Sequence, residues 1–223
     1  MPLDTGLMAF WNNIDAAEEA AVRQWHNCQH MSERVNIPGF RTGRRYRGFD
    51  DASTFLMYYE TESPSVLAGE DYQRALNTPT QWTRDSLKFF KDPARAIFKL
   101  VDEAGVTPRE PAFFLATLRF NVSGDAEAIR QAYLGRVLPQ LAADPNVIRV
   151  CLWENELAIT GIRTAESSIY GASAGQQQFA LFVEARERPA LPTASTLPGL
   201  TDAERASHVD QIPEVGWLDF ALR

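Results

Sequence analysis

The sequence predicts an α+β protein built from tandem ferredoxin-like repeats, β-α-β-β-α-β twice, whose antiparallel sheets pack into an α+β barrel. Three observations predict it. Strand-like and helix-like segments follow the β-α-β-β-α-β order up to residue 105 and take it up again from residue 112. Sliding the chain by 107 residues lays Pro38 on Pro145, Phe40 on Val147, Tyr46 on Trp153 and Trp11 on Leu118, so one helix-to-strand corner recurs. Several strand segments are also apolar on both alternating faces, as in Leu56 and Tyr58 against Phe55, Met57 and Tyr59. A sheet with one wet face alternates more cleanly, so the second faces are expected to pack on each other.

The elements follow in order. "GLMAFWNNI" (6–14) reads as a strand, and "DAAEEAAVRQWHNCQHMSERVN" (15–36) as a helix with Asp15 as N-cap and acids in its first turn. Pro38 and Gly39 stop it. "FRTGRRYRGF" and "STFLMYYETE" make two strands joined by a short Asp-Asp turn. Helical material broken near Pro79 follows, and "ARAIFKLVDE" is the fourth strand. "VTPREP" (106–111) is a proline-bearing linker between a first half at 1–105 and a degenerate second half at 112–223. In the second half "AFFLATLRFNV", "NVIRVCLWEN", "QQFALFVEARE" and "GWLDFALR" are the strands, and "DAEAIRQAYLGRVLPQLAAD" is the helix. An insertion at 157–176, rich in Gly, Ala and Ser, is longer than ordinary hairpin loops and reads as a mobile lid or a dimer arm.

With 223 residues, 45% of them hydrophobic and 11% aromatic, the chain can bury a sizeable core. A net charge of −7 argues against nucleic-acid or anionic-membrane surfaces, which call for a basic face. Cys28 and Cys151 form no close-spaced motif, so neither a disulfide framework nor a cysteine zinc site is expected. No basic segment followed by an apolar run opens the chain, and no stretch nears the roughly 18 apolar residues of a membrane span. The expected location is the cytoplasm.

The stretch at 25–46, "WHNCQHMSERVNIPGFRTGRRY", concentrates the chemistry. On a helix Ala21, Trp25, Cys28 and Ser32 share the expected buried stripe, and His26, His30 and Glu33 fall within about 40° of one another on its flank. One reading is a solvated shoulder with a weak Glu33–His30 pair. The other is a proton-transfer site, because the 107 shift sets His26, His30, Glu33 and Arg34 on Tyr133, Val137, Gln140 and Leu141. The second half keeps the corner without the polar set. On the following strand Thr42, Arg44 and Tyr46 point one way and Arg41, Gly43, Arg45 and Arg47 the other. An arginine aimed inward needs a carboxylate or an anionic ligand. His26 and His30 at i, i+4, with Glu33, could also bind a metal, and one histidine could ligate a haem, but no HExxH, Gly-rich phosphate loop or GxSxG motif occurs. No cofactor and no metal are expected. Trp11, Tyr46, Tyr58 or Tyr59, and Trp82 could line a pocket for an aromatic ring.

The 25–46 stretch resembles the helix-to-strand signature of the dimeric α+β barrel superfamily, in particular its EthD-like branch, where an aromatic residue and a histidine precede an "ER" pair and an "IPGF" corner. Gln29 stands where many relatives carry an acid. The resemblance implies the fold more than the reaction, since relatives in the wider superfamily include cofactor-independent cyclases, isomerases, dehydratases, decarboxylases and small monooxygenases acting on aromatic or polyketide-like molecules; with the residues above, the expectation is a cofactor-independent acid-base enzyme, a lyase or isomerase performing dehydration, decarboxylation or cyclisation on such a molecule. It places His30 as general acid or base. His26 would orient it or share the proton, Arg44 or Arg34 would hold a carboxylate or enolate, and Trp11, Tyr46 and Tyr58 would position the ring. The alternatives are a non-catalytic carrier of the same kind of molecule and a haem or metal oxidoreductase. The expected partners are that small molecule and, as the architecture allows, a second copy in a homodimer.

Overall fold

The computed structural model describes residues 4–106, 111–171 and 173–223, so most of the expected linker, 107–110, lies outside the described residues. Its strands are β1 (Gly6–Ile14), β2 (Phe40–Gly48), β3 (Thr54–Thr61), β4 (Phe90–Gly105), β5 (Phe114–Val122), β6 (Val147–Asn155), β7 (Ser173–Ala174), β8 (Phe179–Ala185) and β9 (His208–Leu222). Before β4 come α1 (Glu19–Trp25), α2 (Met31–Val35), α3 (Pro64–Ala68), α4 (Glu70–Asn77) and α5 (Gln81–Leu87). After it come α6 (Ala126–Ala132), α7 (Leu138–Ala142), α8 (Leu157–Thr160), α9 (Ala165–Tyr170) and α10 (Asp202–Ser207). Two π-helical turns, His26–His30 and Tyr133–Val137, join α1 to α2 and α6 to α7. No described helix is long and apolar enough to cross a membrane.

Contacts divide the chain into two units that do not follow chain order. One comprises Asp4–Lys99, Glu156–Gly175 and Asp219–Arg223; the other includes Leu100–Asn155 and Gln176–Leu218. Relative to the expected halves, the insertion and the last residues of the chain belong with the first half.

In the first unit β1 pairs antiparallel with both β3 and β4, and β2 takes the far edge of β3. Period-2 alternation splits the side chains. Met8, Phe10 and Ile14 of β1, Phe55, Met57 and Tyr59 of β3 and Ile97 of β4 pack with Val22, Trp25, Met31, Leu67, Tyr72, Leu76 and Leu87 from the helices. The alternate residues Leu7, Ala9, Trp11, Leu56, Tyr58, Ala96 and Phe98 are buried as well, so these strands are apolar on both faces. In the second unit β5 pairs with β8 and β9, and β6 takes the far edge of β8.

The first helix is not the continuous α-helix its periodicity suggests. At the π turn the Met31 N–H reaches back to the His26 carbonyl, five residues away, and the extra residue turns the face that follows by about 100°. The expected stripe is corrected accordingly. Trp25 is buried, but Ala21 and Cys28 are exposed and Ser32 is half-buried, whereas Val22, His26, His30, Met31 and Arg34 go inside. The second π turn does the same, with the Leu138 N–H bonded to the Tyr133 carbonyl. The two turns start at residues 26 and 133, 107 apart.

The insertion is also not a free arm. Its small residues serve as helix caps: Thr164 and Ser167 form a capping box on α9, and Gly171 closes it in the left-handed region at φ +67°. The segment is tied down by Glu156 N–H to the Ile97 carbonyl at 2.8 Å, Ile97 N–H to Thr160 Oγ1 at 2.8 Å and Ala165 N–H to Asn77 Oδ1 at 2.9 Å.

Gly43 links this fold to the site. It faces Tyr59 across the β2–β3 ladder, and a Cβ there would lie 2.8 Å from the Tyr59 ring and 3.0 Å from Met31 Cγ. The missing side chain lets the ring lie flat against β2. Gly43→Ala is expected to cost about 1–3 kcal/mol through overpacking, measured by urea unfolding. An unchanged midpoint would mean that the ring is free to move aside.

Candidate functional site

The site grows from the π turn. His26 is fully buried between the helix and the sheet, with Nδ1 2.9 Å from Arg45 Nη1 and Nε2 3.1 Å from Tyr59 Oη. A guanidinium only donates, so Nδ1 accepts and the neutral ring carries its proton on Nε2, donated to Tyr59. Burial, Arg45 and Arg34 together hold the His26 pKa well below the ordinary imidazole value. Arg45 in turn donates through Nε to Asp219 Oδ2 at 2.6 Å. His26 is thereby a fixed strut with both nitrogens in use.

His30, one turn on, is different. Its ring lies 4.3 Å from that of Trp25, it is 8% exposed, and its Nδ1 has no hydrogen-bond partner among the described residues. Burial first, then Arg34 and His26, hold its pKa well below the ordinary value. It is a neutral imidazole with a spare nitrogen. Arg34, a further turn on, is paired in the interior with Glu166 of α9. Burial pushes the Glu166 carboxyl up, and Arg34 pulls the other way. Tyr59 and Tyr170 have their hydroxyl pKa values raised by burial and stay neutral.

These groups edge a cavity of about 30 Å³. His30, Arg34, Arg95, Glu166, Tyr59, Tyr72 and Tyr170 supply its polar wall, and Met8, Phe10, Met57, Leu76, Leu87 and Phe90 its apolar wall. That space suits a water or a few-atom group, since sites for drug-sized ligands run to about 300 Å³ and more. A larger ligand needs α9, which carries Glu166 and Tyr170, to move.

The sequence-predicted residues are divided by the sheet. His30 and Arg34 reach the cavity, and His26 stands behind them. Arg44, Trp11, Tyr46 and Tyr58 point to the opposite face, because they occupy the alternate strand positions. There Arg44 Nη1 donates to Tyr58 Oη at 2.5 Å, the Tyr46 and Tyr58 rings stack at 5.9 Å, and Trp11 meets Phe98 edge-on at 6.3 Å. On β2 the arginine that meets the histidines is Arg45 rather than Arg44. Trp82 is 41% exposed. Glu33 accepts from Gln29 Nε2 at 2.6 Å, on the outer side of the helix. Among the described residues no three His, Cys, Asp or Glu side chains are grouped to hold a metal.

Three participants escaped the sequence reading. Arg95 stands in phase with Ile97 on the core-facing side of β4, a readable signal of a buried charge. Glu166 and Asp219 lie 132 and 174 residues from the arginines they meet, and no local pattern announces them. In the second unit His208 is buried, bonded through Nε2 to Tyr133 Oη at 3.0 Å and stacked on Phe120.

No known protein family matches the chain, and no curated protein matches it in sequence. Solved structures do. A proposed monooxygenase from Fusobacterium nucleatum subsp. nucleatum is similar over 99% of this chain and 95% of its own, with TM-score 0.62 and 6% identity. An anthrone oxidase-like protein is similar over 98% and 92%, with TM-score 0.59 and 10% identity. Chlorite dismutase from Candidatus Nitrospira defluvii, solved with imidazole, is similar over 99% and 93%, with TM-score 0.52 and 10% identity. At such identities the likeness is one of α+β fold.

Stability should depend on pH through the buried histidines. His26, His30 and His208 all have lowered folded pKa values, so below about 6.5 the unfolded chain binds protons that the folded chain refuses. Their contribution is intact above that pH and is lost as pH falls toward the folded values, by up to about 1.4 kcal/mol per pH unit for each ring. Glu166, with its pKa raised, works in the opposite sense, one group against three. Urea unfolding between about pH 7.5 and about pH 5.5 should show falling stability, with a shallower fall in His30→Phe. A flat profile would contradict the neutral, buried assignment.

Proposed function

We propose that the protein is a cofactor-independent enzyme that removes or returns a proton on a small aromatic or polyketide-like substrate, with His30 as the acid-base group. The observation that carries this reading is the unpartnered Nδ1 of a neutral, buried His30 on a cavity edged by the Arg34–Glu166 pair. A neutral imidazole is ready to accept a proton without first losing one. Its lowered pKa also limits what it can do: the imidazolium formed is disfavoured by burial and by Arg34, so His30 is matched to acidic protons, such as those on carbon between a carbonyl and an aromatic ring. His26, locked between Arg45 and Tyr59, positions the helix turn rather than sharing the proton. The first reading takes the carbanion or enolate so formed to a lyase or isomerase outcome.

A second reading takes the same first step to a different end. The names of the structural neighbours, a proposed monooxygenase and an anthrone oxidase-like protein, favour dioxygen as acceptor. There a CH₂ carbanion would give its electrons to O₂, so that CH₂ and O₂ become C=O and H₂O. A haem reading fits poorly, because the roughly 30 Å³ edged by His30 is lined by tyrosines, arginines and packed apolar side chains; an aromatic ring already needs α9 to move, and a porphyrin is several times larger. The two units are read as degenerate copies of one ancestor, a reading supported by π turns 107 residues apart, with the proton-transfer set kept in the first alone.

The test is a thermal-shift screen of aromatic acids, phenols and polyketide-like lactones on wild type and His30→Ala, with mass analysis of each stabilising compound under air and under nitrogen. Conversion should fall by about 100-fold or more in His30→Ala with folding retained. Conversion that needs air selects the oxidase reading. Binding without conversion in both proteins would replace the enzyme with a carrier.

A further inference from the structure

The charges around the cavity do not balance. Arg34 is matched by Glu166, Arg45 by Asp219, Arg119 by Glu214, and Arg149 by Glu103 and Glu184. Each of these buried guanidiniums meets a carboxylate. Arg95 meets none among the described residues. It stands opposite Phe10 in the β1–β4 ladder, so it shares the helix-facing side of the sheet, and it is 7% exposed. Its side-chain hydrogen bond runs from Nη2 to Tyr72 Oη at a long 3.4 Å, with the guanidinium 6.0 Å over the same ring. Glu166, the carboxylate on the cavity wall, bonds directly to Arg34 and acts on Arg95 only from beyond bonding distance. A largely buried guanidinium whose one side-chain hydrogen bond is long, and which touches no carboxylate, has donors left for an anion.

We infer that Arg95 is the anchor for a carboxylate carried by the ligand of this cavity. Resting on the proposed proton-transfer site, this narrows the substrate class to small carboxylic acids, bound as the anion, and passes over neutral ketones and phenols. The cavity of about 30 Å³ accommodates a carboxylate group, and the planar guanidinium fork can hold both oxygens. Tyr72 keeps the fork in place from the side. The role expected of Arg44 or Arg34 thus passes to Arg95, since Arg44 faces the other side of the sheet and Arg34 is already paired.

The probes are two acid and amide pairs of near-equal shape, acetate with acetamide and benzoate with benzamide, titrated into the full chain and followed by protein NMR shifts. Wild type should bind each carboxylate at least about tenfold more tightly than its amide, the expected worth of hydrogen bonds to a charged group. Arg95→Gln should erase that preference, Arg95→Lys should keep part of it, and His30→Ala should leave it intact while removing turnover. Should Arg95→Gln fail to fold, the wild-type preference and its reduction in Arg95→Lys decide. Equal affinity for acid and amide, no binding of either acid, or a preference that survives in Arg95→Gln or is undiminished in Arg95→Lys overturns the assignment. A preference retained in a protein that converts no substrate would leave the anchor standing and remove the enzyme reading instead.

Discussion

Two arginines buried between the helices and the sheet of the first unit set the terms for the rest of that unit. Charge in such a place is tolerated only when a carboxylate meets it, and removing one partner of such a pair typically costs about 3–5 kcal/mol. Arg34 from α2 draws Glu166 out of α9, and Arg45 from β2 draws Asp219 from the end of β9. The requirement explains why segments from far along the chain belong to the body that holds residues 4–99. An insertion with small and polar residues would otherwise have little reason to be ordered there. Once Glu166 is committed, α9 also becomes a wall of the cavity, so a structural pairing decides how much room the candidate chemistry has.

The π turn supplies the second part of the arrangement. Its extra residue turns the helix so that His30 and Arg34, after it, go inside beside Trp25 and His26. The same turn produces unequal histidines. His26 is fixed at both nitrogens and relies on Gly43 to let Tyr59 lie close enough, while His30, on the cavity wall, keeps an Nδ1 without a hydrogen-bond partner among the described residues. A histidine–tyrosine hydrogen bond recurs at the start of the other π turn with the residue types exchanged, Tyr133 on the helix and His208 on the strand. In that unit the position corresponding to His30 under the 107 offset is Val137, so the strut persists where the reactive group does not.

Much of the first unit is legible in the sequence because its signals are local. The apolar runs of β1 and β3, the Pro38–Gly39 stop and the corner at Phe40 give the element order directly. His26, His30 and Glu33 stand out as a group on one flank of the helix wheel, and Arg34 joins them through the 107 offset. Phase is harder to read. A helix wheel at 100° per residue does not include a π turn, so it puts Cys28 inside and the histidines on the flank. On β2 and β3 the choice between Arg44 with Tyr58 and Arg45 with Tyr59 is one of parity, and only the register against the helices decides it. Glu166 and Asp219 carry no local signal at all. Their placement is a product of tertiary charge matching, which a linear reading does not contain.

The central claim is that His26 and His30 are neutral and inequivalent at physiological pH, one locked and one with an open nitrogen. Long-range ¹H–¹⁵N spectra of the imidazole rings test it most directly. The account predicts that both rings stay neutral through the ordinary imidazole titration range near pH 6.5, that His26 shows the Nε2–H tautomer alone, and that only the His30 nitrogens move when a carboxylate is added. Imidazolium signals from both rings near pH 6.5, or two rings titrating alike, would contradict it.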